Sequence, residues 1–381
     1  MLSERLRREP FRILFPLGAL LAWCAVLPWV LFGTGVIRAW LGVYHALTMT
    51  QGFIVAMAVG FLGTMLPRRT SAAPFTSAEL ALVVAALVAV PLCLLGGHVA
   101  GAELAYLTVL ATLVRFALRG VRRAGRPPHP SFVFLPLGLL GGMVGAILIA
   151  TGVLRAPSLI APGRALVEEG LLLSLVLAVA PMLTSIILHD RPQPPLAEEA
   201  YRRQRALHLG AAALFFASFA VEYALAARAG VLLRGAVVAA EVLLASRIDR
   251  FPSVPGLHRR LYWLALVFVP LGIIAAGARP ALRVPLLHLT FVGGLSMLVF
   301  AVSFHVVFLH TGRELLARVR PWPVAVVGTL VLLATAARAS AEHFAEHYPT
   351  ALALASSLWL AGAVLWGVFL MRLLATPKVR A

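Results

Sequence analysis

The chain has 381 residues, 61% of them hydrophobic and only 13% charged, with a mean hydropathy of +0.93. Soluble domains run near half apolar and a quarter charged, so this composition excludes a soluble globular fold and points to a lipid-embedded one. The basic excess, 33 Lys and Arg against 15 Asp and Glu, would suggest nucleic-acid binding in a soluble protein; in so apolar a chain it marks membrane topology, and no nucleic-acid partner is expected.

Apolar runs long enough to cross a bilayer recur from Phe11 to Leu374. Twelve spans are predicted, near residues 11–32, 40–66, 77–97, 101–119, 132–154, 165–188, 206–228, 230–246, 260–277, 283–309, 321–338 and 350–374. At about 20 residues per span the connections average about 11 residues, too few for a folded extramembrane module. The expectation is therefore one all-α integral membrane domain over residues 1–381, a polytopic helix bundle with the lipid bilayer as its solvent. The first span has a basic start and no small-residue cleavage site, so it reads as a retained helix rather than a signal peptide. Assigning tails and alternate loops to one side places 25 Lys and Arg there and eight on the other. Basic residues stay in the cytoplasm, so both termini are expected inside. With a single Lys among its 33 basic residues, the composition suits a GC-rich bacterium, and the localisation expected is the bacterial inner membrane.

Ionisable groups within the bilayer are costly unless paired, neutralised or metal-bound, so they are the functional candidates. His45 in the second span and His288 in the tenth lie at matching depths, a few residues inside the outer end of their helices. Two facing histidines from separate helices are a usual means of holding haem iron in a helical bundle. A histidine hydrogen-bonded across helices is the alternative, and both stay open. Gly52, Gly60, Gly293 and Gly294 follow these histidines and would admit a close helix or a flat macrocycle. His98, in a short outer loop, and His343 with His347, which share a face if their segment is α-helical, could form a copper or zinc rim or simply be polar loop residues. His305 and His310 lie toward the far end of the tenth span, His310 about 33 Å from His288, too far to share one metal. His310 suits a helix carboxyl end, where an imidazole complements the dipole. His129, His189, His208 and His258 fall in or beside basic loops and read as solvated. Glu222 and Glu241 each need a partner or a proton, with Arg228 or Arg234 as candidate partners. Met49, Met57 and Met65 read as gap-fillers or a soft ligand path.

Cys24 and Cys93, the only cysteines, lie within spans and exclude a disulfide scaffold, a haem c attachment site and a thiolate zinc cluster. No P-loop, dinucleotide fingerprint, hydrolase elbow or H-E-x-x-H motif is present, so neither ATP-driven transport nor nicotinamide chemistry is indicated.

Several stretches resemble the NnrS family of bacterial membrane proteins. Pro10-Phe11-Arg12 is similar to the family's P-F-R opening, and His45-Ala46-Leu47-Thr48-Met49 through Gly52-Phe53 to its W-H-A-H-E-M-x-x-G-F run. The tenth span, His288-Leu289-Thr290 through His310-Thr311-Gly312-Arg313, resembles its H-x-L-T and G-H-T-G-R block, and Pro181-Met182-Leu183-Thr184 its I-P-F-F-T. The chain departs from the pattern at Tyr44, Leu47 and Thr48, in place of Trp, His and Glu, and at His305, in place of an arginine. The resemblance implies twelve spans, haem b and copper as cofactors, and a role in denitrification and protection from nitric oxide beside respiratory or denitrification membrane components. It implies His45 and His288 as haem ligands, with His310 a further metal candidate and His305, His343 and His347 the places to look for a displaced site.

Two other classes stay open. Twelve spans with cytoplasmic ends is also a common secondary transporter plan, and loss of the His and Glu at Leu47 and Thr48 would suit a metal-free structural or assembly protein. The topology is testable with single-cysteine labelling: positions 122 and 203 should be cytoplasmic and position 98 outside, whereas finding 98 and 122 on one side would overturn the span count.

Overall fold

The computed structural model describes residues 4–70, 73–121, 127–191 and 196–376. Arg122, Arg123, Arg126, Lys378 and Arg380, part of the basic count above, lie outside them. Every regular element among the described residues is helical, the form that satisfies each backbone N–H and C=O within its own segment where no water can.

After a short turn at Glu4–Arg8, α1 runs over Phe11–Gly33. Helix α2 is composite: Gly42–Leu47, a π-helical winding at Thr48–Ile54, then Val55–Thr70. Ser77–Leu95 forms α3, Val99–Val121 α4 and Phe134–Leu154 α5. Helix α6 joins Ile160–Ala165, a π winding at Leu166–Leu171 and Leu172–His189. Glu198–Ala224 forms α7; α8 is Ala227–Ala240 ending in a π winding at Glu241–Ala245; α9 is Leu257–Ala278. Helix α10 joins Arg283–His288, a π winding at Leu289–Ser296 and Met297–His310, and the last two are α11, Trp322–Ser340, and α12, Tyr348–Ala375. These helices follow the predicted spans within a few residues, except that α6 and α7 begin earlier.

Ten stretches are long and apolar enough to cross a membrane, the last of which, Glu314–Ala375, holds both α11 and α12. Helix α8 is not among them, because Arg228, Arg234 and Glu241 lie in its short length. Exposed Leu104, Leu140, Leu207 and Leu225 are the side chains expected of lipid-facing surfaces. Cys24 and Cys93 are free thiols.

The chain forms two compact units. The first runs to Ala25 and resumes over Leu41–Ala178. Its helices meet through small residues. Gly60 of α2 lies so close to Phe11, Leu14 and Phe15 of α1 that a Cβ there would sit 3.1–3.2 Å from them. Gly145 of α5 and Gly163 of α6 each face the other's carbonyl oxygen, where a Cβ would sit 2.7–2.8 Å away. Van der Waals contact of this kind is what holds helices together when lipid is as apolar as the side chains. Helix α3 opens with a capping box between Thr76 and Glu79, and Glu79 also accepts from Arg119 of α4 at 2.7 Å.

The second unit comprises Val26–Trp40 and the chain from Val179 onward. Its most buried charge is Arg234 of α8, which donates to Glu222 of α7, reaches Ser218 Oγ at 3.3 Å and lies 3.6 Å over the Phe219 ring. Glu222 takes a second guanidinium from Arg283 of α10. Gly230 presses on the backbone of Glu222, where a Cβ would sit 2.4 Å from its nitrogen. Arg259 of α9, also buried, donates to the carbonyls of Ile187 and Ala317 and to Asp190. Trp366 of α12 donates to Ser303 Oγ of α10 at 2.9 Å.

Removing one member of a buried pair leaves the other charge uncompensated, at a cost of about 3–5 kcal/mol. Glu222→Ala, which takes the carboxylate from buried Arg234, should lower the thermal unfolding midpoint in detergent substantially more than Arg283→Ala, which leaves Glu222 still paired with Arg234. Equal shifts for the two variants would contradict this pairing.

Candidate functional site

His45 and His288 sit in corresponding local settings. His45 lies near the end of the first segment of α2, three residues ahead of the π winding at Thr48–Ile54. His288 ends the first segment of α10, and the winding at Leu289–Ser296 follows at once. A π winding takes one more residue per hydrogen-bonded ring than an α-turn, which rotates the faces of the two flanking segments against each other; such windings concentrate at functional sites. Both imidazoles are half-buried. His45 Nδ1 lies 3.0 Å from the Ala25 carbonyl and His288 Nδ1 2.7 Å from the Val284 carbonyl. A carbonyl only accepts, so the proton of each neutral ring is on Nδ1 and the lone pair on Nε2. Donation of the second ring nitrogen to a carbonyl is the usual arrangement of a metal-ligating histidine. The donor chemistry of both residues therefore fits a haem iron.

The glycines near these windings behave differently. Around Gly52 the nearest atom a Cβ would meet is Leu21 Cδ1 at 3.5 Å, ordinary contact distance. Gly293 and Gly294 are tight, with Cβ positions 3.0 Å from Phe268 and Thr335 and 2.9 Å from Val269. Helices, not open space, occupy the α10 glycine face. Met57 lies buried against Gly18 of α1 and fills a gap there.

Two histidines expected in solvated positions are buried, a correction to the sequence reading. His208 of α7 reaches Glu241 Oε2 at 2.9 Å, and Glu241 opens the π winding of α8. Glu241 thus takes a histidine rather than Arg228 or Arg234, while Glu222 takes Arg234. His258, in the first turn of α9, is 1% exposed and places Nε2 3.2 Å from Nδ1 of His305 on α10, with Phe308 edge-on to its ring. His305 Nε2 is buried and makes no hydrogen bond. Both histidines had been placed by their nearness to basic loops. Phe215, seven residues from His208, and Leu261, three from His258, are buried apolar side chains at helical spacing that mark the inward faces on which the two histidines lie.

His129 and His189 keep short-range partners near helix ends, Ser131 at 2.8 Å and Ser253 at 2.9 Å. His98 is exposed at the turn between α3 and α4. His343 and His347 are exposed in a 3-10 turn, Ala341–His347, broken at Phe344, where φ is −109° and ψ 53°. In a 3-10 helix residues three apart eclipse, so the four-residue spacing does not put these two imidazoles on one face as an α-helix would. His310 ends α10 with Nδ1 2.8 Å from the Val306 carbonyl, and Gly312 follows at φ +70°, a left-handed helix cap. Among the described residues no three His, Cys, Asp or Glu side chains come together as a metal-binding group.

Comparison with known proteins gives one family: a family model described as NnrS protein matches residues 5–378. No curated protein matches the chain.

The position of His310 at a helix carboxyl end separates an electrostatic role from a ligand role. His310→Lys places a cation at the dipole's negative end and should preserve expression and any bound cofactor. Loss of cofactor from a well-folded His310→Lys protein would instead assign a metal to this end of α10.

Proposed function

The chain belongs to the NnrS family, and from that membership we propose a multi-pass haem protein of a bacterial inner membrane that acts in, or protects against, nitric oxide stress linked to denitrification. The match over residues 5–378 supports the family setting. The observation that carries the haem reading is the shared architecture at His45 and His288: a half-buried imidazole whose Nδ1–H is committed to a backbone carbonyl, just ahead of a π winding. The two lie in different units, and each is proposed as a haem ligand on its own surroundings.

Haem bound by imidazole supplies one-electron chemistry and a site for small nitrogen oxides, with ligation and local dielectric setting its potential. The chain's own residues orient the ligands. The Ala25 and Val284 carbonyls hold each ring in the Nδ1–H tautomer and raise its basicity. Buried Leu47, Phe53, Leu287 and Leu295, in or beside the windings, limit the access of water to the same positions.

Copper is the second metal of this reading. His258 Nε2 and His305 Nδ1, buried and 3.2 Å apart, are the donors that would hold it, imidazole being a ligand suited to copper. In the metal-free chain the same contact is a hydrogen bond between neutral rings. Exposed His98, His343 and His347 supply no such pre-formed pair. Twelve crossings with both ends cytoplasmic complete the proposal, on the asymmetry of 25 basic residues to eight.

Purified from cells supplied with haem and copper, the wild-type protein should show a Soret band that shifts on reduction. His45→Ala and His288→Ala should each lower the Soret absorbance per protein while remaining membrane-inserted, and His305→Ala should retain it in full but lose copper. A wild-type protein without haem, or normal spectra from both alanine variants, would turn the reading toward a permease or a metal-free assembly protein.

A further inference from the structure

Glu103 is the anomaly among the buried acids. It projects from α4 and is 0% exposed. Its described hydrogen bonds are to one neutral group: Gln51 Nε2, from the π winding of α2, lies 2.9 Å from both carboxyl oxygens. The other buried acids whose pairing is described have basic partners: Glu79 has Arg119 and Arg115, Glu222 has Arg234 and Arg283, and Glu241 has His208. Among the described residues no hydrogen bond or ion pair joins Glu103 to a cation. The ionisable group near it from α6 is Glu168, which has its own partner in Arg164; from α4 itself, it is Tyr106. Helix α5 contributes glycines, and the ionisable Glu79 of α3 is taken up by Arg115 and Arg119.

A second observation points into the same place. Gln51 Oε1, Thr48 Oγ1, Tyr106 OH and Ser174 Oγ are all buried and make no hydrogen bond within the protein. Thr48 is one turn from Gln51 on α2. Tyr106 OH and the Ser174 side chain lie over Gly142 and Gly138, one turn apart on a single face of α5. Unpaired Gln51 Oε1 and Tyr106 OH beside a carboxyl group are unusual in an interior where nearly all polar atoms are satisfied. An ionised carboxylate with only an amide to meet it is costly there, and the neutral acid much less so, which favours binding of a proton.

We propose that Glu103, clasped by Gln51 between α4 and α2, is a proton-binding site within the bilayer that holds one exchangeable proton. The primary amide is suited to both states because it carries a donor and an acceptor. With the proton gone, Nε2 donates to both carboxylate oxygens, the arrangement seen here. With the proton bound, a half-turn of the amide brings Oε1 to accept from the carboxyl O–H. Loading forms one O–H bond on Glu103 with a proton from solvent; unloading breaks it and returns the proton to solvent, with no electron transferred. The site stands without bound haem, since no step involves the histidines.

Infrared difference spectra across a pH titration test this on the full chain in lipid bilayers. The wild type should show a carboxylic C=O band that shifts in deuterium oxide and is absent from Glu103→Gln, a near-isosteric change that keeps the fold. Glu103→Asp should restore a band at a different position. Gln51→Leu should make the band persist to higher pH, by about one pH unit or more, because the amide's bond to the charged carboxylate is the stronger of the two that are lost. Wild-type and Glu103→Gln spectra that coincide would overturn the proposal. Loss of the band on adding sodium at constant pH would also overturn it, by showing that a metal cation is the resident ligand.

Discussion

A charge in hydrocarbon must be met by an opposite charge, by strong hydrogen bonds or by a proton, and that requirement selects which helices lie together within each unit. In the second unit Glu222 draws α8 and α10 to α7, because Arg234 and Arg283 converge on it. Glu241 and His208 repeat the α7–α8 attachment further along. Arg259 ties the start of α9 to the end of α6 and to the turn after α10 through two carbonyls and Asp190. Such pairs contribute modest net stability after desolvation, but a helix placed in the wrong register would strand a charge, so they are strong selectors of partner. Glycine acts at the same points. Gly230 brings the α8 backbone onto Glu222, the residue that Arg234, one turn further along α8, binds.

The π windings tie these polar contacts to local backbone geometry. Among the described residues they follow His45, contain Glu168 and Glu169, begin with Glu241 and follow His288. Each therefore adjoins an ionisable group in an otherwise apolar helix. A straight α-helix presents every residue at a fixed 100° step, so a polar group matched to a neighbour on one side constrains the packing of all later turns. One wider turn removes that constraint. Gln51 can face Glu103 while Val55, Val59 and Leu62 beyond it remain buried.

Much of the architecture was legible in the sequence because its signal is compositional. Runs of apolar residues the thickness of a bilayer have no alternative to a helix in lipid, and their ends fall where arginines cluster. The windings were not legible, since their backbone angles at the joins, such as φ −72° and ψ −36° at Leu47, are those of an α-helix and no residue type compels the wider turn. Burial of single polar residues was legible only in part. Position in a span identified Glu222 and Glu241 as needing partners, and the tertiary fold supplied Arg234 for one and His208 for the other. Closeness to a basic loop in sequence is not exposure for His258 and His208: His258 lies in the packed first turn of α9, and His208, ten residues into α7, is buried against Glu241 although exposed Glu198 and Glu199 open that helix. Glu103 and Gln51, 52 residues apart, carry no motif that announces the pair.

The departures of the second span from the family pattern take on a structural meaning through that pair. Leu47 and Thr48 stand where the resembling run has a histidine and a glutamate, and both are 0% exposed. Leucine at 47 is satisfied by apolar neighbours, so its position needs no polar partner in this chain. Thr48 opens the winding that carries Gln51, and its hydroxyl is among the buried atoms without a hydrogen bond. A glutamate there would bring a second carboxyl group within one turn of the residue that already clasps Glu103, and two acids in so small a buried volume cannot both ionise. Threonine keeps a polar atom at the winding while leaving Glu103 as the carboxyl group that Gln51 serves, so the loss at position 48 and the isolation of Glu103 from basic partners belong to one arrangement of α2 and α4.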